Sequence, residues 1–172
     1  MLRSVSRIAF FSVLIFAAGL TAPASASPSV VPLGGFAPGT IVVKQGERSL
    51  YLTLQGGSAL RYPVAVGKAG KAWRGYARVQ GKYVNPAWSP PAEVKRDKPW
   101  LPDVIAGGAA NNPMGSHALT LSGGEYAIHG TTRAMRASIG TAASYGCIRM
   151  YNEDIADLYS RVGVGTPVAV LP

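Results

Sequence analysis

Between Thr40 and Lys68 the chain reads TIVVKQGERSLYLTLQGGSALRYPVAVGK. Thr40–Lys44 and Ser49–Leu54 are dense in β-branched and aromatic residues, which pack well on a pleated surface and lose side-chain freedom in a helix. Gln45-Gly46-Glu47-Arg48 separates these two runs, and Gln55-Gly56-Gly57 separates the second from a third that ends at Val66. Extended runs broken by turn residues about every ten positions predict an antiparallel meander. Strands of this kind need further sheet to pair with, and the rest of the chain offers it. Arg74–Val84 partly alternates and predicts one or two strands. His117–Leu121 and Tyr126–His129 predict short strands around the Ser122-Gly123-Gly124 turn, and Thr166–Leu171 predicts a closing strand.

One helix stands out. After Met150, Asn152 is a good N-cap, and Glu153 and Asp154 place negative charge in the first turn. Ile155, Leu158, Tyr159 and Val162 recur at helical spacing, and Gly163 suits the end. Asn85–Asp103 holds five prolines in 19 residues, so only Ala92–Lys98 can form a helical turn or two. Val104–Gly115 is rich in Gly and Asn and predicts loop. The expected class is mainly β, a sandwich- or barrel-like sheet with one helix after Cys147.

The amino terminus predicts export. Arg3 and Arg7 precede an apolar run from Ile8 to Leu20, and Ala24-Ser25-Ala26 fits a small-x-small cleavage site. The run is short for a membrane span of roughly 20 residues, which favours cleavage over an anchor. Residues 1–26 are therefore read as a signal peptide, 27–39 as a Pro/Gly/Ser-rich linker or irregular lead-in, and 40–172 as one domain. Without Arg3 and Arg7, the 17 basic residues of the chain fall to 15 against 8 acidic ones, a net charge of +7. A basic exported protein is drawn to anionic surfaces. Cell-wall polymer or a membrane surface fits that charge better than nucleic acid does.

Cys147 is the only cysteine, so it forms no internal disulfide, and in an exported chain it points to intermolecular pairing, a reactive thiol or a small buried hydrophobe. A nucleophilic thiol needs a base and donors for a developing oxyanion. The two histidines, His117 and His129, are the available bases. His129 is favoured because it ends a strand and is followed by Gly130 and a loop; a satisfied structural role suits His117 better. The absence of a second cysteine excludes a Cys-x-x-Cys centre and a Cys-x-x-Cys-His haem site. Glu153 stands where a phosphatase loop would carry arginine, and too few Cys and His remain for a zinc site. No cofactor or metal is expected.

His129-Gly130, then 14 residues, then Ser144-Tyr145-Gly146-Cys147-Ile148-Arg149-Met150 and Asn152-Glu153-Asp154-Ile155 resembles the L,D-transpeptidase catalytic domain (YkuD-type), over about Thr40–Leu171. Tyr145 departs from the histidine usual at that position. The resemblance implies that Cys147 is the nucleophile and His129 the general base, with the Gly130 carbonyl orienting it. It implies oxyanion N–H groups at Gly146 and Cys147, and substrate contacts from Ser144, Tyr145 and Arg149. A structural salt bridge from Arg149 to Glu153 or Asp154 is the competing role for that arginine. The implied substrates are peptidoglycan stem peptides in the periplasm, with a second stem or an envelope protein as acyl acceptor. Hydrolysis on the same fold, or a non-catalytic wall-binding protein, are the alternatives.

Overall fold

A computed structural model describes residues 28–172; the expected signal peptide lies outside the described residues. The meander forms as the sequence predicts, as β2 (Ile41–Lys44), β3 (Ser49–Thr53) and β4 (Ser58–Pro63), each antiparallel to the next. The lead-in is not wholly irregular. Ser29–Pro32 forms β1, which pairs antiparallel with β4 at the sheet edge. Beyond it, Leu33 and Phe36 pack with Val31 over Val42 and Tyr51, so the lead-in covers the outer side of the meander.

Gly75–Val84 is one ten-residue strand, β6, rather than two. Its first half pairs with the closing strand β11 (Pro167–Leu171), and its second half with β7 (His117–Leu121). A register shift between Val79 and Gly81 lets the strand turn from one partner to the other. β11 also lies parallel to β2, while β7 continues into β8 (Ala127–His129) and then β10 (Ile148–Arg149). The resulting nine-stranded order is β1-β4-β3-β2-β11-β6-β7-β8-β10. A small second pair joins β5 (Val66–Gly67) to β9 (Ala142–Ser144).

One side of the sheet carries the main core. Ile41, Leu50 and Tyr62 from the meander meet Leu119, Ile128 and Ile148 from the far strands, all at or below 1% exposure. Burying an aliphatic side chain of this size stabilises the fold by roughly 1.5–3 kcal/mol. The helix α2 (Asn152–Arg161) lays Ile155 and Leu158 into the same core. Its first residue differs from expectation: Tyr151 is the N-cap, and Asn152 has turned its side chain elsewhere.

The proline-rich excursion carries a short helix α1 (Ala92–Asp97). The excursion holds its shape because Trp88 and Ile105 bridge across it, and the buried Asn112 amide donates to the carbonyls of Pro86 and Ala106. It stands beside the β8–β10 end of the sheet and makes one wall of a cleft there.

Candidate active site

β10 runs parallel to β8, with Ile148 opposite Ile128 and Arg149 opposite His129. Side chains alternate across a strand. Since Ile128 and Ile148 enter the core, His129 and Arg149 share the other face, and Cys147, two residues before Arg149, faces the same way. All three line one cleft of about 800 Å³, between α1, Met114 and the hairpin tip at Gly123–Tyr126. Cys147 is partly exposed, whereas His129 is 4% and Arg149 9% exposed. His117 is not on the cleft lining. It hydrogen-bonds Ser116 Oγ at 3.0 Å and tilts against Tyr159 of α2.

The strand end that carries His129 is fixed by Asn152. Its Oδ1 accepts from the N–H groups of Ser116 (3.2 Å) and Thr131 (3.0 Å), and its Nδ2 donates to the Thr131 carbonyl (2.9 Å). A Cβ on Gly130 would overlap that Oδ1. The side chain expected to cap α2 therefore braces the loop after His129, and Gly130 is small because the brace occupies its Cβ position.

Burial pushes the imidazole of His129 down to about 4, and the neighbouring Arg149 cation acts in the same direction. The carbonyls of Gly130 and Pro113 face the ring and favour its protonated form, but neither closes an ordinary hydrogen bond on Nδ1, which has no partner. The ring is thus neutral at physiological pH and able to accept a proton. Burial also raises the Cys147 thiol, opposed by the Ala127 backbone N–H and by Arg149, while the Glu125 carboxylate adds to the rise. In the resting site Cys147 is a thiol and His129 a neutral imidazole.

Arg149 makes neither of the salt bridges that compete for it. Glu153 is held bidentately by Arg136 at 2.6 and 2.9 Å. Arg149 Nη1 donates to Ser138 Oγ at 2.7 Å, its Nε has no partner, and among the described residues no carboxylate reaches it. An unpaired buried guanidinium is costly unless an anion completes it.

In the loop before Cys147, two groups expected at the substrate are engaged within the protein. The Gly146 N–H, expected to be an oxyanion donor, is taken by Ser144 Oγ at 3.1 Å. The Ser144 hydroxyl, expected to contact substrate, donates to the Cys147 carbonyl at 2.6 Å; Ser144 is 2% exposed and shapes the loop. Tyr145 lines the cleft, but its hydroxyl donates to Asp97 Oδ2 of α1 at 2.8 Å, and Lys68 Nζ stands 3.9 Å from its ring centroid. The side chain ties the cysteine loop to the cleft wall and makes no hydrogen bond to the thiol. Sequence reading missed Trp73, which donates from Nε1 to the Gly146 carbonyl at 3.1 Å, and Tyr126, stacked on Trp73 at 4.9 Å.

A partly exposed thiol and a neutral imidazole thus line one cleft from the same sheet face. Residues 38–170 match the model of the L,D-transpeptidase catalytic domain (YkuD), and the chain belongs to that family. It is 37% identical over 138 residues to the probable L,D-transpeptidase YbiS of Escherichia coli, covering 74% of this chain and 43% of that protein. It is also 37% identical over 123 residues to a putative L,D-transpeptidase of Fuscovulum blasticum, covering 70% of this chain and 62% of the relative. The chain thus spans about half the length of the curated relatives it matches. An L,D-transpeptidase from Mycobacterium smegmatis shares the fold, with a TM-score of 0.61 at 20% identity over 77% of this chain and 58% of that one.

Proposed function

We propose that this chain is an exported peptidoglycan L,D-transpeptidase working in the periplasm. The observation that carries the reading is the shared face of β8 and β10, where Cys147, His129 and Arg149 meet in one cleft. Cys147 Sγ attacks the carbonyl of the L-centre of the third stem residue, a diaminopimelate. His129 takes the thiol proton and gives it to the departing D-alanine amine as the peptide C–N bond breaks. Gly130 supports His129 by leaving room for the Asn152 brace, and its carbonyl faces the ring and favours the imidazolium that forms when His129 takes the proton. Arg149 holds a substrate carboxylate, which supplies a counter-charge that no carboxylate of the described residues provides. An amine from a second stem, or from an envelope protein, then attacks the thioester and frees the thiol. The positive charge of the chain supports attraction to an anionic wall. Among the described residues no helix is long and apolar enough to cross a membrane.

Purified tetrapeptide muropeptides incubated with the protein and resolved by mass spectrometry test the assignment. Cross-linked dimers with release of D-alanine are the expected products. Free tripeptides would show that water is the acceptor, and unchanged substrate would contradict the assignment.

A further inference from the structure

Around Cys147, the cysteine loop commits its polar main-chain atoms in an ordered way. The Gly146 N–H and the Cys147 carbonyl both go to Ser144 Oγ, and the Gly146 carbonyl accepts from Trp73 Nε1. A trans peptide places its C=O and N–H on opposite edges of one plane. The carbonyl of the Gly146–Cys147 peptide is held toward Trp73, so the Cys147 N–H on the other edge points away from the indole.

Trp73 is itself held from three directions. Its ring stacks on Tyr126 with 7° between planes, its carbonyl accepts from the buried Gln45 amide at 2.6 Å, and it packs against the main core. Tyr126 closes the remaining freedom of the loop. Gly146 has φ +120°, and a Cβ there would overlap Tyr126 Cε1 and lie 3.0 Å from Cδ1. The peptide plane is gripped by a hydrogen bond on its carbonyl and by the Tyr126 ring beside its α-carbon.

We propose that Trp73 is a positioning residue for acyl transfer, orienting the Gly146–Cys147 peptide so that the Cys147 N–H is pre-aimed at the oxyanion. This rests on the acyl-transfer reading above. In the step it serves, Sγ bonds to the acyl carbon, the carbonyl π pair moves to oxygen, and the N–H receives that charge. A donor fixed before reaction contributes more than one that must reorient. Trp73 never meets substrate in this scheme; it acts through the peptide.

The test compares two reactions of the same thiol. A carbapenem acylates Cys147 through a tetrahedral oxyanion, with its ring C–N bond breaking and the nitrogen taking a proton. Iodoacetamide alkylates it by displacing iodide, with no oxyanion. Trp73→Phe keeps an aromatic stack and removes the N–H. Its acylation rate should fall about tenfold, less than the roughly 10²–10³ lost when a donor is deleted outright, while its alkylation rate stays within about twofold of wild type. Placing the sulfur isostere benzothienylalanine at position 73 removes only the N–H, and should give the same split if the Phe variant folds poorly. Equal losses in both reactions, or an unchanged acylation rate, would overturn the positioning role alone. A wild-type thiol that alkylates but is never acylated would overturn the acyl-transfer reading together with it.

Discussion

Burial holds His129 neutral, so acidification should cost the protein stability through this one ring. The imidazole is lowered from 6.5 to about 4 in the folded chain, and the unfolded chain binds the extra proton between those two values. Stability from this source is fully present above pH 6.5 and lost as pH falls toward 4. The depression corresponds to about 3 kcal/mol in all, of which about 2.5 kcal/mol is gone by pH 4.5. Asp154 works the other way. Burial raises its carboxyl to about 7, so its stability contribution is present at low pH and lost as pH rises from 3.8 through 7, partly offset by its place in the first turn of α2. Comparing wild type with His129→Gln cancels that opposing group. Urea unfolding at pH 7 and pH 4.5 should show the gap between the two proteins closing by about 2.5 kcal/mol on acidification. Catalysis should report the same ring. Cys147 acylation by a carbapenem at pH 5.5 should remain near its neutral-pH rate, whereas an imidazole near 6.5 would leave only about a tenth of the base available. Parallel stability profiles, together with an acid limb near pH 6.5, would refute the buried neutral base.

Arg149→Met removes an uncompensated buried cation and should leave the unfolding free energy unchanged or raise it by about 1 kcal/mol. It should also lower kcat/KM for acidic stem peptides by at least about tenfold, as read by denaturation and D-alanine release. Tyr145→Phe loses only the bond to Asp97, so carbapenem acylation should stay within about twofold of wild type. A loss on the order of 100-fold would instead place the hydroxyl on the oxyanion. Gly146→Ala adds a Cβ that overlaps Tyr126 at a positive φ. Acylation should collapse by more than about tenfold and thermal stability should fall by roughly 1–3 kcal/mol.

The meander, the closing strand and α2 were legible because local chemistry decides them: β-branched runs between turn residues, and apolar positions at helical spacing. The 27–39 lead-in misled because Pro and Gly describe its turns, while Ser29–Pro32 takes its pairing from β4, a partner about thirty residues away in sequence. Cys147, His129 and Arg149, which line one cleft, could be singled out in the sequence because each is chemically conspicuous and two of them share a short motif. The detailed wiring was not legible. Asn152 sits where a cap belongs, yet Gly115 and Gly130 leave space that draws its side chain away from the helix. Ser144 and Gly146 carry groups suited to substrate, but satisfy each other within the loop. Trp73 lies 73 residues before Gly146 in the chain, and no local pattern links an indole to one distant carbonyl.

Intact-protein mass spectrometry after mixing the protein with a tetrapeptide stem reads out whether Cys147 becomes acylated. The wild-type protein should gain the mass of the stem less D-alanine, located on Cys147, and Cys147→Ala should fold normally and gain nothing. An adduct that persists in Cys147→Ala, or a wild-type protein that neither gains mass nor releases D-alanine, would rule out Cys147 as the acylated nucleophile.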